Sequence, residues 1–210
     1  MRPARASMSS MRRSASSSSP RRLGVAFMAA GLAAVALGLA EAAVLRSQEE
    51  VLRDVFPDAV VERETRFLED TQARRLEGDG VKLGSRVVIR YLGSRAGRPA
   101  GVAYFDTHVV RTLAETILVL VDPEGRVVCV EVLVFDEPPD YLPREKWLDQ
   151  FDGVLLSDEL SLKRGIRGIA GATLSSRAVT DAVRRVLAID RELRRAAPEP
   201  PPDASKKATP

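Results

Sequence analysis

Two almost continuously apolar runs, Thr116 to Val121 and Arg126 to Phe135, flank the tetrapeptide Asp122-Pro-Glu-Gly125. Asp-Pro-x-Gly is the signature of a type I turn, with a glycine to take the left-handed position that closes it. The pair therefore reads as a β-hairpin. Its strands, apolar through Ile117 to Val121 and Val127 to Val130, lack the alternation of a half-exposed sheet. They belong centrally in a covered sheet. A chain built on this hairpin has to supply further strands beside it and helices to cover it.

The flanking sequence supplies both. Arg86 to Leu92 is rich in β-branched residues and ends at Gly93; a polar turn, Ser94 to Pro99, then leads into a strand at Gly101 to Phe105. Ser47-Gln-Glu-Glu50 has the capping-box pattern and opens a short helix with Val51, Leu52 and Val55 inward, stopped near Pro57. Residues 58–85 are charged and weakly patterned, with a strand expected near Val60 and a helical turn around Thr71 to Leu76. The proline-rich segment Glu137 to Pro143 is incompatible with regular structure. Arg144 to Phe151 reads as a short helix whose Trp147, Leu148 and Phe151 are most simply core residues; Tyr141 or Trp147 could instead border a planar ligand. Further on, Val179, Ala182, Val183, Val186 and Leu187 fall on one helical face. Arg184, Arg185, Arg191, Arg194 and Arg195 crowd that helix towards its C-terminus, where the helix dipole favours cations. The fold class expected is α+β, an antiparallel sheet with a central hairpin packed by helices.

Ahead of this lies a segment of another kind. Leu23 to Leu45 is apolar apart from Glu41, long enough for a membrane span. It is preceded by Arg2, Arg5, Arg12, Arg13, Arg21 and Arg22 with no acidic residue between them. The net charge of +3 becomes −3 once those six arginines are set aside. The basic character thus belongs to the N-terminal arm and reads as a topology signal, with the N-terminus held in the cytoplasm by the positive-inside rule. Nucleic acid is not an expected partner of the folded part. A cleaved signal peptide competes, since Gly38-Leu39-Ala40 is an acceptable small-x-small site; Arg21-Arg22 is like a twin-arginine signal but lacks the rest of that consensus. A buried soluble helix is the plain alternative. The expected plan is a basic arm over residues 1–22, a transmembrane helix over 23–45, a folded extracytoplasmic domain over 47–192 and a Pro-rich disordered tail over 197–210.

The chain has one cysteine, Cys129, and one histidine, His108. An intramolecular disulfide is excluded, as are a Cys-ligated iron–sulfur cluster and a Cys/His zinc site. Electron chemistry, if present, must then be carried by an organic cofactor. The stretch with most chemical promise is Ile166 to Val179, Ile-Arg-Gly-Ile-Ala-Gly-Ala-Thr-Leu-Ser-Ser-Arg-Ala-Val. A Gly-punctuated turn running into an amphipathic helix gathers backbone N–H groups where the dipole favours an anion, with the Thr173 hydroxyl beside them. The same residues also describe an ordinary loop leading into a helix, with Ser175 or Ser176 as N-cap.

The run Gly171-Ala172-Thr173-Leu174-Ser175-Ser176-Arg177-Ala178-Val179, followed by Val183, resembles the FMN-binding domain family, which includes flavin-carrying components of the Rnf electron-transport complex and of the sodium-pumping NADH:quinone reductase. Thr107-His-Val-Val-Arg111-Thr and the segment 138–143 are also similar to anchored members of that family, and the resemblance spans roughly residues 47–190. It implies FMN as cofactor, joined through its phosphate to Thr173 by a phosphoester that a flavin transferase makes on the extracytoplasmic side. Gly171, Ala172, Leu174 and Ser175 would surround the phosphate. Ala170 stands where the family usually has Ser, and Arg167 where an Asp often precedes the motif, so FMN binding is a firmer expectation than its covalent attachment.

The function implied is that of a flavoprotein in the cytoplasmic membrane, relaying electrons between the proteins of a membrane redox complex, with no catalytic acid, base or nucleophile and no metal. A cofactor-free periplasmic binding or assembly module of the same fold is the alternative, and a flavin-dependent reductase acting on its own small substrate a third. His108 could approach the flavin or serve the fold. Arg111 could pair with phosphate or a ring oxygen or lie on the surface. Cys129 reads as a small apolar residue.

Overall fold

A computed structural model describes residues 43–196. The basic arm, the C-terminal tail and all but the last three residues of the apolar run lie outside the described residues, so the expected membrane span does too. Within them the order is β1 (Ala43–Val44), α1 (Gln48–Val55), β2 (Val60–Phe67), α2 (Asp70–Gly78), β3 (Val87–Arg95), β4 (Arg98–Val109), β5 (Ala114–Val121), β6 (Val127–Phe135), α3 (Glu145–Leu148) and α4 (Thr173–Ala196). The strands form one sheet in the order β1-β6-β5-β4-β3-β2, and every neighbouring pair is antiparallel. The α+β expectation holds. Among the described residues no helix is long and apolar enough to cross a membrane.

The β5–β6 hairpin closes as its turn chemistry requires. The Asp122 carboxylate accepts from the Glu124 and Arg126 amides at 3.0 and 2.7 Å, and Gly125 takes φ +87°. The position of the hairpin needs a correction: β5 is interior, but β6 has beyond it only the two residues of β1, where Ala43 pairs with Phe135 and Val44 with Val134. Those residues come from the tail of the apolar run, so that run cannot be helical as far as Leu45. The unbroken apolar texture of β5 has a direct cause. Ile117, Val119 and Val121 face one core, Leu118 and Leu120 the other, and all five are buried.

The larger core lies under α4. Val179, Ala182, Val183, Val186 and Leu187 pack there with Leu76 of α2, Leu148 and Phe151 of the α3 region, and the facing strand residues. The smaller core lies under α1, where Val51 and Phe56 meet Ala103, Leu118, Leu120 and Leu133. Ser47 and Glu50 form the expected capping box, with reciprocal bonds of 3.2 and 2.9 Å. The arginines near the α4 C-terminus do more than complement the dipole. Arg194 reaches the Asp122 carbonyl at 2.8 Å and Asp190, while Asp190 also accepts from the Tyr104 hydroxyl at 2.8 Å. The helix end is thereby tied to the sheet and to the hairpin turn.

Two further differences from the sequence reading matter. The β3–β4 turn is tighter than expected: Ala96 and Gly97, both at positive φ, make a two-residue connection with Arg95 opposite Arg98. At the other end of the same pair, β3 leaves β4. Pairing stops at Arg90↔Tyr104, whereas β4 continues beside β5 to Val109↔Ala114. A cleft of about 570 Å³ opens between Val87–Ile89 and Phe105–His108, with Arg185 and Val186 of α4 at its side.

Candidate functional site

The loop leading into α4 is shaped by its own backbone bonds. The Arg167 amide donates to Gln150 Oε1 at 2.9 Å, and its carbonyl accepts from Trp147 Nε1 at 2.6 Å. Trp147 also meets Phe151 edge to face at 5.4 Å, so it serves the loop and the core and does not border the cavity described below. Gly171 takes φ +82°, a conformation that L side chains adopt only with strain. Two residues later, at Thr173, the helix begins.

The start of α4 corrects one expectation. Thr173 is its first residue, and Ser175 and Ser176 lie inside the first turn, so neither is the N-cap. The Ala172 carbonyl accepts from the Ser176 amide at 3.0 Å and from the Ser176 hydroxyl at 2.9 Å. That hydroxyl in turn accepts from the Ile169 amide at 2.8 Å. Ser176 therefore folds the Gly-rich turn back onto the helix. Ala172, at the capping position, has no side-chain oxygen to offer. Among the described residues nothing accepts from the amides of Thr173, Leu174 or Ser175. They are three of the orphan donors of a helix N-terminus, aimed with the positive end of the dipole of a 24-residue helix.

These residues line a cavity of about 150 Å³ together with Val110, Arg111, Glu137 and Tyr141. All five residues expected at the site are present in it: Gly171, Ala172, Thr173, Leu174 and Ser175. Thr173 and Leu174 are exposed, whereas Ala172 and Ser175 are buried. The opposite wall is the turn between β4 and β5. There the Arg111 guanidinium lies 5.2 Å from the centre of the Tyr141 ring, a cation–π arrangement. Of the two aromatics considered as ligand neighbours, Tyr141 is at the cavity.

Glu137 escaped the sequence reading, yet it organises this wall. Its Oε1 accepts from the amides of Arg111, Thr112 and Leu113 at 3.2, 2.8 and 3.0 Å. The Thr112 and Leu113 amides, more than burial opposes them, hold the carboxyl below the usual carboxylate range, helped by Arg111. Three successive N–H groups converging on one anion form a backbone nest, here filled by a residue of the chain itself. The Arg111 side chain and the uncapped α4 amides are left as the positive features facing the cavity. A larger, shallow hollow of about 700 Å³ lies beside α1, between Phe56 and Tyr91. It has size but no such convergence of donors, and the chemistry favours the smaller cavity.

His108 lies outside that cavity. Its Nδ1 is 2.9 Å from Asp106 and its Nε2 3.0 Å from Glu115, and Asp106 receives both Nε and Nη2 of Arg185 at 2.8 and 2.6 Å. Burial opposes its charge, but the two carboxylate partners outweigh burial and lift its pKa to about 9. Cys129 is half-buried, and burial pushes its thiol up to about 12, which suits an inert apolar role. Among the described residues no cluster of His, Cys, Asp and Glu has the makings of a metal site.

With this geometry in hand, comparisons with known proteins bear directly on the motif. Residues 114–188 match the family model described as the FMN-binding domain. No protein of curated function matches the sequence. Among solved structures the chain is similar to the crystal structure of Shewanella oneidensis NqrC, at 15% identity and a TM-score of 0.48, covering 72% of this chain and 91% of that one. The matched segment of the family model runs from β5 into α4 and takes in Glu137, Tyr141 and Gly171 to Ser175. Residues 114–188, then, are similar to the FMN-binding domain family, and FMN is the cofactor that this match supports.

Proposed function

We propose that the protein is an electron carrier whose FMN is held with its phosphate at the start of α4 and joined to Thr173 by a phosphoester. The observation that carries this reading is the uncapped N-terminus of α4. It places three unpaired amides and the exposed Thr173 in one small cavity with Arg111. Gly171, Ala172, Leu174 and Ser175 surround the phosphate, Gly171 by permitting the turn and the others by their backbone. A cavity of about 150 Å³ is below the roughly 300–1,000 Å³ of sites that enclose a whole ligand. It suits the phosphate end of FMN and leaves the ring to partners. The flavin supplies one- and two-electron chemistry when bound; the chain's residues bind and orient it, and none is needed as acid, base or nucleophile.

The wider assignment follows from the same reading. Residues 1–22 form a cytoplasmic basic arm, the apolar run from residue 23 is a membrane anchor that ends by residue 42, residues 47–192 are the extracytoplasmic flavin domain, and 197–210 are a tail. An anchor of about 20 residues is sufficient to span a bilayer. A flavin transferase makes the ester, and other proteins of a membrane redox complex give and receive the electron. A covalent tether keeps the cofactor where it could not be replaced from the cytoplasm. The test is co-expression with a flavin transferase, followed by a denaturing gel viewed under ultraviolet light. The unmodified chain is expected to fluoresce, Thr173→Ser to retain the band and Thr173→Ala to lose it. A chain that carries no flavin, covalent or otherwise, would instead be a cofactor-free module.

A further inference from the structure

The four residues Arg185, Asp106, His108 and Glu115 form a chain of charged groups that the flavin site does not contain. They lie where the sheet is weakest. Beyond Tyr104 the strand β4 has lost β3 as a neighbour, so the tip of the β4–β5 hairpin hangs from the sheet on one side only. That tip carries Val110 to Leu113, one wall of the cavity. The other wall is the start of α4, some sixty residues later in sequence. Asp106 and His108 point from the unsupported part of β4 towards α4. Arg185 grips Asp106 with two bonds, and His108 bridges to Glu115, its direct partner across the hairpin. The cluster thus replaces the missing strand neighbour and fastens both strands of the hairpin to the helix just below the turn.

The cost of the arrangement argues that it has a use. Glu115 is fully buried, and its Oε1 has no partner among the described residues. Burial pushes its carboxyl above the usual range, while Asp106 is held below it by His108 and Arg185 against burial. A half-satisfied buried carboxylate is worse for stability than an apolar side chain. One proton held between His108 and Glu115 keeps the whole cluster, Arg185 included, neutral; losing that proton leaves a buried net negative charge.

We propose that His108, braced by Asp106 and Glu115 and tied by Arg185 to α4, is a positioning residue that holds the Arg111-bearing turn in register with the α4 N-terminus, so that FMN affinity depends on its proton. This rests on the flavin reading of the cavity. The charged groups facing His108 are Asp106 on its own strand, Glu115 on β5, Arg185 on α4 and, across the cleft, Lys82 of the α2–β3 loop. When His108 loses its proton, the bridge to Glu115 loses its attraction. The buried Glu115 carboxylate is then left without a cationic partner, while Arg185 still pairs with the partly buried Asp106, and the turn is released.

The experiment uses the full-length chain made without flavin transferase, with FMN as probe and binding followed by quenching of flavin fluorescence from pH 6.5 to 9.5. The wild type is expected to lose about tenfold in affinity across the upper half of that range, and His108→Gln to bind at the weaker level at every pH. Arg185→Lys, which keeps the charge but not the two-pronged grip, is expected to bind more weakly with the pH step retained. It serves if His108→Gln does not fold. Two results overturn the proposal: a flat profile in the wild type, or the same step persisting in His108→Gln. A wild type that binds no FMN at any pH overturns the flavin reading itself, which separates the two failures.

Discussion

At the scale of single residues the motif divides its labour between two hydroxyls. Thr173 is exposed and free to carry a substituent, whereas Ser176 is fully buried and makes the bonds that shape the turn. Ser176→Ala leaves the Ile169 amide without its acceptor. That amide is part-buried, and losing such a hydrogen bond costs about 1 kcal/mol, so urea unfolding should register a loss of that order, and FMN binding should weaken with it. Thr173→Ala, by contrast, should leave the unfolding midpoint unchanged. His108 gives a prediction with a definite sign. Its folded pKa of about 9 lies above the ordinary histidine value of about 6.5. Its contribution is fully present below pH 6.5 and is lost as pH rises through 9. The free energy of unfolding should fall by up to roughly 3 kcal/mol over that window, and His108→Gln should flatten the slope. Cys129, held up to about 12, adds to the decline only above the ordinary thiol range.

At the scale of elements, the readable parts were those whose signal is local. The β5–β6 hairpin, the capped helix α1 and the apolar face of α4 each follow from spacing and turn residues within their own segment, and the structure has all three. The first residue of α4 was not readable in the same way. Ser175 and Ser176 are the better capping residues by type, but the clamp of Gln150 and Trp147 on Arg167 and the left-handed Gly171 start the helix earlier, at Thr173. The cluster around His108 and the nest around Glu137 were illegible because their partners lie on different elements. No spacing in the sequence announces that three amides after β4 will converge on a carboxylate after β6. Gly93 shows the same limit: it reads as a strand end, yet β3 runs on to Arg95 and the glycine makes room for the Phe56 ring. A Cβ there would stand 2.2 Å from that ring. Gly93→Ala should therefore destabilise by about 1–3 kcal/mol, measurable as a lowered denaturant midpoint, whereas Gly78→Ala, with open space around it, should not.

On the scale of the whole molecule, one sheet separates two cores, and the residues lining the small cavity at the start of α4 depend on the larger. Phe151 is completely buried there, beside Trp147. Phe151→Ala should cost about 3–5 kcal/mol and, because Trp147 holds the loop before Gly171, should loosen the cofactor site as well; calorimetry and FMN titration on the same variant would show both. The smaller core covers only part of the opposite face. Its outer part, with Phe67, Val87, Ile89 and Val109, stays open. Fold class and cofactor family were legible from the hairpin and the nine-residue motif, whereas the two walls of the cavity become one site only through tertiary packing.

The central claim is that Thr173 carries the flavin. Its most direct test is peptide mapping by tandem mass spectrometry after co-expression with a flavin transferase. The account predicts that the peptide containing Gly171 to Ser176 gains one FMN less one water, with the fragment ions placing the gain on Thr173. An FMN-loaded protein whose Thr173 peptide is unmodified, or whose ester maps to Ser175 or Ser176, would contradict it.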